Sequence, residues 1–152
     1  MGYTHHYGPK AETPIADWNR ALKTIRAAVK NSEVPLCRIY NDRRRPSLCR
    51  DHILFNGSGV DGHETFALLR KKQGWSFCKT ARKPYDILVC VALLALHAEC
   101  GLSVSSDGSP QDWEAARTLY NKHAGKPISV DDVIVMLDRS ALGAILPAYR
   151  GN

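Results

Sequence analysis

The chain has 152 residues, of which 44% are hydrophobic and 24% are charged, and its formal net charge is +6. These values are typical of one globular domain that can bury a core without disulfides or structural metals. The positive charge favours an anionic partner but is too small to indicate nucleic acid by itself.

The cysteines and the apolar segments indicate in which cellular compartment the protein is expected. The five cysteines are odd in number and contain no C-x-x-C pair, so the sequence predicts neither a disulfide framework nor a zinc site. The N-terminus lacks the apolar core of a signal peptide. The longest apolar run, Ile87–Ala98, is too short for the ~20 residues of a membrane span. We therefore expect a cytoplasmic protein with no membrane partner.

The chain opens with a predicted strand and a predicted helix. Tyr3–Tyr7 (YTHHY) is short, aromatic and β-branched, and Gly8-Pro9 ends it, which indicates a strand. Thr13 is a suitable N-cap for the next segment, with Pro14 at the first helical position. Apolar residues at three- to four-residue spacing then predict an amphipathic helix; they are Ile15, Trp18, Leu22, Ile25 and Val29.

A basic loop at Arg43–Ser47 precedes the middle of the chain, where three strands are predicted. The strands are His52–Phe55, Glu64–Leu69 and Trp75–Cys78, and a Gly-rich turn (NGSGVDG) joins the first two. Asp61, His63 and Glu64 raise the possibility of a metal site. A β-turn satisfied by its own Asn and Asp residues is favoured, because one histidine on a flexible loop is weak evidence for a metal.

The second half is mainly helical. Pro84–Glu99 is apolar nearly all round, which predicts a buried helix capped by Gly101. A short strand in LSVSSDG follows it. The next helix begins at Ser109, with Asp112 three residues on, and ends near Gly125. The segment 126–152 is predicted to be a helical extension that also begins with a Ser-x-x-Asp box.

This order of elements predicts a single α+β domain spanning residues 1–152. A lone late strand cannot stand by itself, so the early and late strands must share a sheet. We therefore expect a two-layer sandwich, with a mixed β-sheet of four to five strands and helices mainly on one face.

The segment KTARKPYD is the first candidate site. A helix N-terminus presents free N–H groups, and the four preceding residues Lys79, Thr80, Arg82 and Lys83 add charge and a hydroxyl. Together they could bind a phosphate or carboxylate, and Tyr85 could stack on a base or donate a hydrogen bond. A solvated basic loop in front of a buried helix, with Asp86 as a capping acid, remains the alternative.

Histidines at the N-terminus form the second candidate site. His5 and His6 point to opposite faces of a strand, so one of them at most lines a given site. We expect one to be accessible on the side of Lys79 and the other to pack against a helix. A functional histidine here would act in acid/base chemistry or bind phosphate.

Polar residues end the late strand. Ser105, Ser106 and Asp107 could contact a ribose or could be simple turn residues. The Arg43–Arg45 run is short and has no interleaved aromatic residues, so nucleic acid is not the expected partner. No cofactor or metal is expected.

Four segments together resemble a known family: MGYTHHY, FNGSGVDGHETF, FCKTARKPYD and VSSDG followed by a helix with Trp113. They are similar to a family of small uncharacterised proteins encoded by tailed phages and prophages. The resemblance covers residues 1 to about 120 and excludes the Arg43–Arg45 loop and the tail. It implies expression in the cytoplasm of an infected bacterium but no particular chemistry.

Three functional hypotheses follow. The first is a module, acting as a homo-oligomer, that binds an anionic nucleotide and sequesters a host immune signal. The second is a metal-independent phosphodiesterase or hydrolase, with His5 or His6 as acid/base and Lys79 or Arg82 on the phosphate. The absence of a second histidine motif on a matching strand counts against it. The third is a module that contacts a host protein through its basic surface.

Overall fold

The computed structural model describes residues 2–138, and all structural statements below concern this part of the chain. The strands are β1 (Thr4–Tyr7), β2 (Leu36–Cys37), β3 (Ser47–Leu48), β4 (His52–Gly57), β5 (Phe66–Leu69), β6 (Ser76–Lys79) and β7 (Val104–Ser106). The helices are α1 (Ile15–Asn31), α2 (Asp86–Cys100), α3 (Glu114–His123) and α4, which occupies 130–138. Short 3-10 turns cover Gly59–Asp61 and Pro110–Trp113.

The α+β class is confirmed, but the strands form two antiparallel sheets instead of one mixed sheet. In the first sheet β1 lies between β6 and β7. In the second, β4 pairs with β2, β3 and β5. Short connections join β3 to β4 and β4 to β5, and short connections can only join antiparallel neighbours. The middle of the chain therefore closes its own sheet, and β6 leaves it to pair with β1.

Buried and exposed side chains alternate along strand β1, and this alternation decides which of its residues reach the interior. His5 and Tyr7 are buried, whereas His6 between them is exposed. Residues paired across antiparallel strands share a face, so His6 lies on the outer face with its partners Phe77 and Ser105. The expectation that the two histidines face opposite sides is confirmed.

Helix α2 is the centre of the core. Nine consecutive residues from Leu88 to Leu96 are buried, because α1 and α3 pack against the helix and the sheet residues cover the rest. Gly101 ends α2 in the left-handed conformation with φ 69°, as predicted. Within residues 2–138, none of the helices is long and apolar enough to cross a membrane.

Helix ends were predicted with mixed success. The reciprocal capping boxes Ser109/Asp112 and Ser129/Asp132 are both present. The predicted N-cap Thr13 is wrong, because its N–H and C=O groups bond to Arg70 and the cap of α1 is Pro14. The predicted extension over 126–152 contains α4, and the part beyond residue 138 lies outside the described residues.

Truncation of a leucine in α2 should show how much the core depends on this helix. Leu93 is fully buried, so Leu93→Ala should lower the free energy of unfolding by about 2–5 kcal/mol through lost burial and a cavity. Leu69→Ala is the matched control, because Leu69 is 49% exposed and its loss should cost at most about 0.5 kcal/mol. Urea unfolding of the variants measures both values, and equal losses would contradict a core centred on α2.

Candidate functional site

The connection between β6 and α2 is a tight turn with an unusual backbone. Ala81 and Arg82 have φ of 52° and 58°, and the Lys83 N–H donates to the Thr80 carbonyl at 3.0 Å. Two successive positive φ angles define a type I′ turn, which normally requires Gly or Asn. The left-handed conformation costs about 1–2 kcal/mol for a residue with a Cβ. Such strain is typical of functional sites, where the surrounding structure maintains it.

This turn stands at the mouth of a cavity of about 290 Å³. Arg82 and Lys83 line it from the turn, and Asp86 and Cys90 line it from α2. The remaining wall comes from the following residues, which are mostly apolar: Tyr3, Pro84, Ile87, Asp112, Ala115 and Ala116. A second cavity of about 300 Å³ shares Tyr3 and Arg82 with the first and is also lined by Gly2, Ala81 and Asp107.

The two cations at the mouth are held differently. The Arg82 guanidinium lies 4.0 Å above the centre of the Tyr3 ring, and its Nη1 is 3.3 Å from Asp112 Oδ1. The side chain of Arg82 is still 61% exposed, so this ion pair is weak. No carboxylate of the described residues lies within ion-pair distance of Lys83. The cavity mouth therefore offers one unpaired cation and one weakly paired cation.

The floor of the cavity is a hydrogen-bonded network around Asp86. Asp86 Oδ1 accepts from Thr80 Oγ1 at 2.6 Å and lies 2.7 Å from His5 Nε2. Among the described residues, Asp86 Oδ2 receives only a weak contact, from the Cys90 thiol at 3.8 Å. The side chain of Asp86 is 19% exposed, whereas His5 is fully buried. Asp86 is thus the part of this network that presents a charged atom to the cavity.

Counting the hydrogen bonds of Ser106 fixes the tautomer of His5. The two lone pairs of Ser106 Oγ accept from the Gly108 N–H at 2.9 Å and the Trp113 indole N–H at 3.2 Å. With both lone pairs taken, Ser106 Oγ cannot accept from a proton on His5 Nδ1, which is 2.8 Å away. The Ser106 hydroxyl is also a hydrogen-bond partner of Tyr3. His5 Nε2, which faces the Asp86 carboxylate, consequently carries the proton and donates it to Asp86. Every polar atom of the buried imidazole is satisfied by the protein.

His5, Asp86 and Cys90 also form a group that could hold a metal ion, because their donor atoms all lie within 4.8 Å of one another. Two ligands bound to zinc at 2.0–2.1 Å with tetrahedral geometry would be about 3.3 Å apart. The 2.7 Å between His5 Nε2 and Asp86 Oδ1 is shorter than this and matches a charge-assisted hydrogen bond. The observed geometry is therefore that of a hydrogen-bonded network.

Burial sets the ionisation of the other groups near the cavity. Desolvation, followed by the charge of Asp86, raises the pKa of the Cys90 thiol well above its usual value. Burial, again with the Asp86 charge as the second cause, raises the pKa of Tyr3. Both groups are neutral at physiological pH, so Cys90 is a poor nucleophile.

The site residues predicted from the sequence lie in three places: on the outer face of the first sheet, in the lining of the two cavities, and inside the protein. His6, Lys79 and Ser105 lie on the outer face of the first sheet, and Lys79 lines neither cavity. Arg82 and Lys83 line the first cavity, and Asp107 lines the second. The structure thus does not bring Lys79 and Arg82 to one cavity.

The other predicted residues lie inside the protein. His5, Thr80 and Ser106 belong to the network around Asp86. Tyr85 is fully buried and donates to the Glu64 carbonyl, so it offers no face to a ligand. At the N-terminus of α2, the N–H groups of Asp86 and Leu88 donate to the carbonyls of Lys83 and Tyr85, so these two groups are not free to bind an anion. The cations and not the helix end are the candidate anion contacts.

Sequence reasoning missed Tyr3, Asp112 and the role of Asp86. Asp86 had been interpreted as a capping acid, and the structure makes it the floor of the cavity. The sequence does contain a signal for this role. Asp86 lies four residues before Cys90, on one face of a helix that is apolar all round. A carboxylate on a buried face at such a position needs partners from elsewhere in the chain.

Comparison with protein-family models gave no match, and the comparisons with curated proteins and with solved structures gave no significant match either.

Alkylation of Cys90 tests the ionisation of the cavity floor. Because its thiol is buried and its pKa is raised, Cys90 should react with iodoacetamide at pH 8 more than tenfold more slowly in the folded protein than in urea. Peptide mass spectrometry gives the rate for each cysteine, and the partly exposed Cys49 serves as the internal control. Fast alkylation of folded Cys90 would indicate a thiolate and would favour an enzyme that uses it as a nucleophile.

Proposed function

We propose that the protein binds a small anionic ligand, of the nucleotide class, in the cavity below the Thr80–Lys83 turn. The observation that carries the proposal is the pair of cations on this turn, at the mouth of a cavity whose wall combines apolar side chains with the carboxylates of Asp86 and Asp112. Among the described residues, Lys83 has no ion-pair partner and Arg82 has a weak one. The strained backbone conformation at Ala81 and Arg82 fixes the points at which the Arg82 and Lys83 side chains leave the main chain.

The two cations would make different contacts with a phosphate or carboxylate. Arg82 presents a planar fork that can hold two oxygens at once, whereas Lys83 acts as a compact point charge. Arg82 has to give up Asp112 or share its guanidinium when a ligand arrives. The apolar wall of Ile87, Ala115 and Ala116 would cover the less polar part of the ligand.

Binding is favoured over hydrolysis by the state of the candidate catalytic groups. His5 is fully buried and both of its ring nitrogens are hydrogen-bonded within the protein. Ser106 has both lone pairs occupied and lines neither cavity. His6 lies on the outer sheet face and lines neither cavity. His5, His6 and Ser106 therefore cannot act as a general base on a ligand phosphate without rearrangement.

The family resemblance suggests the biological role of such binding. In a phage protein that acts in the host cytoplasm, a tight nucleotide site without catalytic groups would sequester a host immune nucleotide. Denaturing the loaded protein and analysing the released ligand by chromatography separates the alternatives, because a binder returns the nucleotide intact and an enzyme returns product.

Removal of each cation should weaken binding without unfolding the protein. A charge-assisted hydrogen bond is worth about 1.5–3 kcal/mol, so Arg82→Ala and Lys83→Ala should each reduce nucleotide affinity about ten- to a hundredfold. Arg43→Ala is the matched control, because Arg43 is equally basic and exposed but lines neither cavity. Calorimetric titration with AMP gives the affinity and the thermal midpoint checks the fold. A lowered midpoint with unchanged affinity would show that the basic turn is structural.

Neutralising Asp112 should have the opposite effect. Exposed ion pairs contribute about 0.2–1 kcal/mol, so Asp112→Asn should free Arg82 and raise the affinity a few-fold. The same side chain caps the 3-10 turn at Pro110–Trp113 through Oδ2, and one amide oxygen remains for this bond. Weaker AMP binding by Asp112→Asn, at an unchanged midpoint, would mean that Asp112 organises Arg82 instead of competing with the ligand.

A further inference from the structure

The carboxylate at the floor of the cavity has one oxygen that the protein leaves almost unused. Asp86 Oδ1 accepts from the Thr80 hydroxyl and the His5 N–H, and both bonds are short. Asp86 Oδ2 has a single weak thiol contact at 3.8 Å within the described residues. A carboxylate oxygen can accept two hydrogen bonds, so Oδ2 has capacity to spare.

The orientation of this oxygen is fixed by the network behind it. His5 and Thr80 hold Oδ1, and Ser106 and Trp113 hold His5 in turn. The Asp86 side chain lines the cavity and is 19% exposed, so Oδ2 belongs to the part of the carboxylate with room to accept from a ligand. Burial makes a carboxylate without full partners costly, and a donor from the ligand would relieve that cost.

We propose that Asp86 Oδ2 selects the ligand by accepting a hydrogen bond from one of its O–H or N–H groups. The inference depends on the proposed function and narrows the class of ligand that the cavity can bind. The ligand then combines an anionic group, held by Arg82 and Lys83 at the mouth, with a hydroxyl or amino donor that reaches the floor. Phosphorylated nucleosides have this combination, whereas simple anions such as inorganic phosphate lack the required reach. Compounds that offer only acceptors to Asp86 are rejected, because two facing acceptors repel.

The substitution Asp86→Asn tests this role with little other change. The donors Thr80 and His5 keep the amide oxygen at the position of Oδ1, so the amide NH₂ replaces Oδ2 and turns an acceptor into a donor. We expect Asp86→Asn to weaken AMP binding ten- to a hundredfold and to change phosphate binding less than twofold. Asp51→Asn is the matched control, because it makes the same chemical change at an exposed residue that lines neither cavity, and it should leave the affinities for AMP and phosphate unchanged.

A second comparison begins with the unmodified protein, so its first result does not depend on the folding of any variant. AMP is titrated beside 2′,3′-dideoxy-AMP, which lacks the ribose hydroxyls, and purine riboside monophosphate, which lacks the amino group. One analogue should bind at least tenfold more weakly than AMP, and Asp86→Asn should bind that analogue as well as it binds AMP. Equal affinity for all three nucleotides, or an equal loss for AMP and phosphate in Asp86→Asn, overturns the inference and leaves the anion site standing. Failure of both phosphate and AMP to bind the unmodified protein overturns the proposed function, and the role of Asp86 with it.

Discussion

The burial of one carboxylate, Asp86, is the constraint on which the site depends. Helix α2 is apolar on all sides and is therefore buried. Because its first residue is Asp86, a charged group lies at the edge of the core. A buried charge is tolerated only when other groups bond to it, and here the partners come from β1 and from the end of β6. The hydrogen bonds of Asp86 to His5 and Thr80 therefore tie the first sheet to the central helix.

The same constraint explains the strained turn. Thr80 must remain beside Asp86, and the N–H groups of Thr80 and Ala81 both donate to the Tyr3 carbonyl. The chain has only Ala81, Arg82 and Lys83 with which to reverse before Pro84 leads into α2. A type I′ turn achieves this reversal, and the network supplies the contacts that stabilise a left-handed alanine and arginine. The position of the cations is thus a consequence of the buried network.

Local patterns in the sequence predicted much of the fold. The alternation in β1, the apolar face of α1, the continuous apolar run of α2 and the Ser-x-x-Asp boxes all depend on neighbouring residues. The structure agrees with them except at Ile15, which was predicted to lie on the apolar face of α1 and is exposed at the first turn of the helix. The division into two sheets could not be predicted, because it depends on which distant strands meet. The two-residue strands β2 and β3 are too short to have a periodicity.

The sequence predicted the candidate site only where it depends on neighbouring residues, because contacts between distant residues cannot be read from a local pattern. Arg82 and Lys83 are recognisable because charge in front of a buried helix is visible in the sequence. The pairing of Asp86 with His5 joins residues 81 positions apart, and that of Asp112 with Arg82 joins residues 30 apart. A carboxylate at a helix start looks like an ordinary cap until its partners are known. Its second oxygen acquires meaning only when the structure shows that one oxygen is saturated and that the side chain borders a cavity.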